Sequence, residues 1–206
     1  MERLWPKYPR IALRAVQADA ATLINRDLPE RRIELAVVPV MSLPLGDDLD
    51  ATVLYRDSWH VVAGVGSPWA RRKKVELAEL ADAFWCATPL ETSIGSLLAD
   101  AFRAKRLDPP RLTVSSVMSP PIVARFLEDG RFVAVIADSL LSFFYSKRLP
   151  IKKVPVELEA PPFSVGVVKL KGRMISPVAQ LFLDEARDVG NQLTKRRARH
   201  VGRVPE

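Results

Sequence analysis

A chain of 206 residues, 48% hydrophobic and 27% charged, has the size of one large domain or two small lobes, and its make-up excludes a disordered or fibrous chain. Its net charge of +7 is uneven: Lys195, Arg196, Arg197, Arg199 and Arg203 against Glu206 place +4 in the last stretch and leave +3 for the rest. Residues 196–206 are therefore expected to be a solvated, disordered basic tail rather than a nucleic-acid-binding face. Cys86 is the only cysteine, which excludes an internal disulfide and a thiolate metal cage and suits a reducing cytoplasm. Met1–Lys7 carries no apolar signal region, and no run of about 18 apolar residues marks a membrane span. Neither a membrane partner nor a cofactor is expected.

In chain order, Ile11–Val16 reads as a short strand. Asp19 is placed to cap a helix over about Ala20–Leu28, which Pro29 helps to end. Ile33–Val38 is a second, mostly apolar strand, of the kind that suits a sheet covered on both faces. Ala51–Val65 reads as a longer strand region broken by Gly64, Gly66 and Pro68, and Val75–Ala81 as a short helix. Ala83–Ala87 returns to strand. Behind Thr92 and Ser93, the residues Ile94, Leu97, Leu98, Ala101 and Phe102 have the spacing of an amphipathic helix running to about Arg106.

Leu112–Ser115 is the next strand, and Pro120-Pro121 suit the first turn of the helix that follows. Gly130 follows that helix end. Phe132–Ile136, Val154–Leu158 and Phe163–Leu170 read as three more strands, and Ser176-Pro177 opens a final helix. The alternation predicts an α/β fold with mainly parallel sheets. Val61–Gly64 and Glu159–Phe163 are the places for crossovers between two lobes.

Several segments, in order, resemble the effector-binding domain of LysR-type transcriptional regulators. Tyr8–Leu13 resembles the opening "YP-x-hydrophobic-x-L" strand. Leu28–Val38 resembles "L-x-x-G-x-L-D-L-A", with Arg31 in place of the glycine and Glu34 in place of the aspartate. Ser67–Ala70 stands where the family has "HPLA", and Val75–Leu80 resembles "V-x-L-A-D-L". Gly130–Ser139 resembles "G-x-G-I-A-L-L-P-x-S", with Phe132 and Ala137 where glycine and proline are usual; Lys171–Ala179 resembles "K-x-R-x-x-S-P-A-A".

The resemblance implies a periplasmic-binding-protein-like fold of type II. Lobe I is expected over 1–62 plus 163–195 and lobe II over 63–162, joined by two crossover strands, with an effector cleft between them. It further implies a homodimer or homotetramer in which Leu13 and Val16 lie near the contact. Relative to the family, a leading strand, most of a helix and the winged helix-turn-helix head are absent from these residues. DNA contact is thus expected only through that missing head. A free-standing cytosolic solute-binding protein of the same fold is the alternative, and an in-frame helix-turn-helix upstream would separate the two.

No enzyme is expected. A nucleophile–histidine site would have to use His60, which has no sequence-local partner, and Gly64-Val65-Gly66 is a turn rather than a dinucleotide fingerprint. Ligands of open α/β sheets sit beyond the carboxyl ends of strands, where helix N-termini offer free N–H groups. Three turns fit: Gln17–Ala20, Thr88–Ser93 and Ser115–Ser119. By resemblance they match the family's effector-contacting turns, giving Gln17, Thr88, Thr92, Ser93, Ser115 and Ser116 as candidates for binding a small-molecule effector. A small organic acid suits the N–H groups; Asp19 would repel it and leaves an amine or neutral effector open. The same hydroxyls also serve as plain helix caps.

Overall fold

The structure, a computed structural model, describes residues 3–40, 46–115 and 119–201, with the backbone only at Ser93 and from Lys195 to Val201. Ser116 lies outside the described residues. The chain divides into two compact units, Met1–Arg56 with Phe163–Glu206, and Asp57–Pro162.

The first unit holds a three-stranded sheet of order β1-β8-β2, from Ala36–Pro39 (β1), Leu49–Asp57 (β2) and Phe163–Leu170 (β8). β1 runs antiparallel to β8 with Val38 opposite Gly166. Pro39 falls at a position whose N–H would point away from β8, so its missing donor costs the ladder nothing. Helix α1, Ala20–Thr22, continues as a π-helical turn over Leu23–Asp27, and Asp19 caps it by accepting from the Thr22 N–H at 2.9 Å. Leu23, Ile24 and Leu28 bury against Ala36, Val38 and Val168. Ile11–Val16, expected as a strand, has no secondary structure. Five of its six residues are apolar, but among the described residues no strand lies alongside to accept its N–H and C=O groups, and an unpaired strand is not stable.

The second unit is built on a five-stranded sheet of order β5-β4-β6-β3-β7: Trp59–Gly64 (β3), Phe84–Ala87 (β4), Leu112–Ser115 (β5), Phe132–Ala137 (β6) and Ile151–Lys153 (β7). β4 pairs in parallel with β5 and β6, whereas β3 pairs antiparallel with β6 and β7. The mainly parallel sheets expected are therefore mixed. Because β3 pairs along its length in this sheet, the first passage between units falls at Arg56/Asp57 and not at residue 62.

Helices α2 (Ser93–Ala104), α3 (Pro120–Glu128) and α4 (Asp138–Ser146) cover the sheet. Val123 and Leu127 of α3 and Leu141 and Phe144 of α4 bury against Val62, Cys86, Ala134 and Ile136; each large side chain contributes about 1.5–3 kcal/mol of burial. Trp85, fully buried, donates its indole N–H to the Leu80 carbonyl at 2.8 Å and meets Phe102 of α2 edge to face. The helix expected near Val75–Ala81 is a 3-10 turn, Leu77–Leu80, with a Glu76/Glu79 capping box. The strand expected at Val154–Leu158 is reduced to one bridge, Val156 to Val75. Pro155 has no N–H to give a ladder, and pairing falls instead to Ile151–Lys153. The last helix, α5, spans Pro177–Val201, so the backbone of 196–201 is helical where disorder was expected.

Candidate functional site

Parallel pairing makes β5, β4 and β6 all end at one edge of the second unit's sheet, with Ala87 beside Ser115. Each strand passes there into a helix: β4 through Thr88–Thr92 into α2, β5 through 116–119 into α3, and β6 directly into α4. The edge is thus built by chain topology, with helix N-termini facing the space beyond the strands.

The turn after β4 is the most constrained. Thr88 is buried directly beyond the strand. Thr92 is the N-cap of α2: its Oγ1 accepts from the Gly95 N–H at 3.0 Å and donates to the Pro89 carbonyl at 2.7 Å. A hydroxyl has one hydrogen, so Thr92 has none left for a ligand and acts by shaping the turn. Among the described residues no partner is found for the N–H groups of Ser93 and Ile94, the first of α2, whereas Ser96 N–H is taken by the Thr92 carbonyl. Gly95, which sequence reasoning missed, is what allows this closure: a Cβ there would stand 1.9 Å from the Pro89 carbonyl oxygen.

The other expected residues are placed less tightly. Ser115 is exposed at the end of β5. Pro120 and Pro121 occupy the first positions of α3 and remove two of its N–H donors, and Ser119 makes no capping bond, so this helix start offers an anion less than α2 does. Gln17 is exposed in the first unit, two residues before the Asp19 cap. The Asp19 carboxyl is held below its usual range by its bonds from the Thr22 hydroxyl and N–H, and stays charged.

A second group at the same unit's edge was not foreseen. His60 of β3 has partners that only tertiary pairing supplies: its Nε2 lies 2.9 Å from Asp138 Oδ1, 3.0 Å from Lys153 Nζ and 3.4 Å from Ser58 Oγ. Lys153 also reaches Asp138 at 3.0 Å. One ring nitrogen carries a hydrogen or a lone pair, so Nε2 donates to Asp138 or accepts from Lys153, never both. The hydrogen bond from His60 first, and Lys153 next, hold the Asp138 carboxyl well below the ordinary range against the opposing effect of burial. A catalytic relay needs the hydroxyl and the carboxylate on opposite ring nitrogens. Here Ser58 and Asp138 both approach Nε2, so these three residues form no such relay. Burial raises the Cys86 thiol, leaving it mostly protonated at neutral pH. Among the described residues no group of His, Cys, Asp or Glu is placed to hold a metal, and no helix is long and apolar enough to cross a membrane.

Comparison with known proteins agrees with this architecture. The profile of the LysR substrate binding domain matches residues 1–191. The HTH-type transcriptional regulator GbpR of Azospirillum brasilense is 27% identical over 195 residues, covering 85% of this chain and 56% of that protein. The chain thus spans about half the length of this curated relative. Among solved structures, the regulatory domain of Synechocystis PCC6803 CcmR in complex with 2-PG superposes with a TM-score of 0.71 at 19% identity, covering 92% of this chain and 88% of that one. The effector binding domain of QuiR in complex with shikimate gives 0.63 at 18% identity, covering 85% and 80%. The fold is that of LysR regulatory domains.

Proposed function

The chain belongs to the LysR family through its substrate binding domain, and from that premise we propose that it senses a small organic acid for a cytoplasmic transcription regulator. The observation that carries the reading is the start of α2. Two N–H groups without a partner among the described residues, those of Ser93 and Ile94, stand beside the buried Thr88 at the carboxyl edge of three parallel strands. Partial positive charge at such a helix start favours an anion, and each charge-assisted hydrogen bond contributes about 1.5–3 kcal/mol net. Two structural neighbours are described with small ligands, 2-PG and shikimate, which supports a small-molecule effector here.

In this reading Thr88, Ser93, Ser115 and Ser116 contact the effector, Thr92 shapes the turn that holds them, and Gln17 is the contribution of the first unit. DNA contact belongs to a part of the protein beyond these residues, and the regulator works as a homodimer or homotetramer. A thermal-shift screen against small acids, amines and neutral metabolites tests it. A ligand at a hundredfold excess over its Kd adds about 2.7 kcal/mol, a rise of about 5–10 °C for a chain of this size. Stabilisation by amines or neutral compounds alone would remove the acid from the proposal.

A further inference from the structure

His60, Asp138 and Lys153 of the second unit form a triangle that cannot be satisfied on all three sides. The His60 Nε2 lies 2.9 Å from Asp138 Oδ1 and 3.0 Å from Lys153 Nζ, and Nζ lies 3.0 Å from the same Oδ1. A neutral imidazole with its lone pair on Nε2 accepts from the ammonium, and Lys153 then donates to both neighbours. That leaves Nε2 and Oδ1 as two acceptors in contact. A hydrogen on Nε2 reverses the pattern: it goes to Asp138 and confronts the ammonium with another donor. In the imidazolium both ring nitrogens carry hydrogen, so only the second pattern remains, and two positive charges stand 3.0 Å apart beside one carboxylate.

Among the described residues nothing nearby relieves this. β6 sets Ile136 opposite His60. α3 packs Val123 and Leu127 against Val62, two residues along β3 on the same face, while its Arg125 pairs with Glu128 at 3.1 Å. α4 brings Tyr145 besides Asp138; burial raises its phenol, which stays neutral and stands by the Lys153 backbone N–H. Ser58 Oγ, 3.4 Å from Nε2, can donate or accept. Lys152 falls on the opposite face of β7. The Asp138 carboxyl, held well below its ordinary range by His60 first and Lys153 next, stays charged throughout.

Lys153 is the member able to leave. Its side chain is 44% exposed, against 26% for His60 and 25% for Asp138. It has a flexible four-carbon stem and sits on a three-residue strand at the rim of the sheet. His60 is held within the β3–β6 ladder, and the Asp138 N–H donates to the Ser58 carbonyl at 2.9 Å.

We propose that His60 is a proton switch on a clasp between α4 and β7: on gaining a proton it takes Asp138 for itself and frees the Lys153 ammonium, leaving β7 held by its ladder to β3. Histidine ordinarily changes charge between about pH 5 and 8, so the domain has protons as a second input. The reading does not rest on the effector site, whose assigned residues are others.

The test follows the isotope-labelled whole chain by NMR from about pH 8 to about pH 5. The His60 ring signals and the Lys153 side-chain signals are expected to move with one midpoint. Across it, protection from exchange of the Val154 N–H, which donates to the Val61 carbonyl at 2.9 Å, is expected to fall by about tenfold after correction for intrinsic exchange, the scale of one lost charge-assisted bond. His60→Gln keeps hydrogen-bonding groups without the titration, and both the Lys153 and the Val154 changes should vanish in it. Lys153→Gln removes the repelling cation and should carry the His60 transition to higher pH. Should His60→Gln fail to fold, Lys153→Gln, at an exposed position, decides alone. Separate midpoints for Lys153 and His60, unchanged Val154 protection, or a Val154 change that persists in His60→Gln overturns the proposal. So does a His60 transition that stays in place or falls in Lys153→Gln.

Discussion

Gly95→Ala reverses the usual sign of a glycine-to-alanine change in a helix. At an exposed helical position, alanine stabilises by about 1 kcal/mol. Here the new methyl would stand 1.9 Å from the Pro89 oxygen, 2.6 Å from the Pro89 carbonyl carbon and 2.8 Å from Leu90 Cα. All three atoms are backbone, so no rotamer change relieves the clash; the turn must retreat by about 1.5 Å to reach ordinary contact. Overpacking of this kind costs about 1–3 kcal/mol. Displacing Pro89 also breaks the hydrogen bond that orients Thr92, and a lost cap adds about 1 kcal/mol. The net expectation is a loss of about 1–3 kcal/mol, read by urea unfolding with tryptophan fluorescence, to which Trp85 packed on Phe102 of α2 contributes. A raised midpoint would refute the reasoning, because it would mean that helix propensity governs the site and the turn after β4 is not closed as described.

Four further outcomes are expected. Arg106 and Arg148 end α2 and α4 at φ 59° and 54°, where Leu107 and Leu149 N–H groups reach back to Phe102 and Phe144; glycine at either position should stabilise by about 0.5–1 kcal/mol, since an L-residue is strained there, and unchanged thermal midpoints would count against it. Thr92→Ala should cost about 1 kcal/mol while Thr92→Ser costs little; equal losses in the two variants would show that the hydroxyl does not cap. The depressed Asp138 carboxyl contributes stability that is full above the unfolded value of about 3.9 and is lost as pH falls through its lower folded value, so Asp138→Asn should be destabilised at neutral pH and the gap to the parent should close below about pH 4. A gap constant with pH would mean that the hydrogen bond from His60 and the ion pair with Lys153 contribute nothing. Light scattering should show self-association of this chain, and a monomer at high concentration would exclude it for residues 1–206.

The sequence announces those elements whose stability is local or whose apolar run is unbroken. Leu112–Ser115 and Phe163–Leu170 appear at their expected bounds because turn-forming residues flank each run. α2 and α3 begin where Thr92 and the Pro120-Pro121 pair predict. Elements that depend on a partner are the ones misread. Ile11–Val16 has the apolar run of a strand and no strand beside it among the described residues; Ile151–Lys153 has little pattern of its own and is held by β3. α4 follows β6 with no intervening loop, so Asp138 at its start is hidden inside what reads as one apolar stretch. The candidate site divides the same way. Thr88 and Thr92 are legible as polar residues between a strand and a helix. Gly95 shows its role only through a through-space approach to Pro89, and His60 only once β3, β6 and β7 lie side by side.

Mapping amide shifts of the isotope-labelled chain on titration with an acid found by thermal shift tests the central claim most directly. The account predicts the largest shifts at Thr88, Ser93, Ile94 and Ser115, and loss of affinity when Thr92 and Ser93 are replaced together by alanine in a chain that still folds. An acid that binds with shifts confined to other residues, or with affinity unchanged by that double replacement, would contradict it.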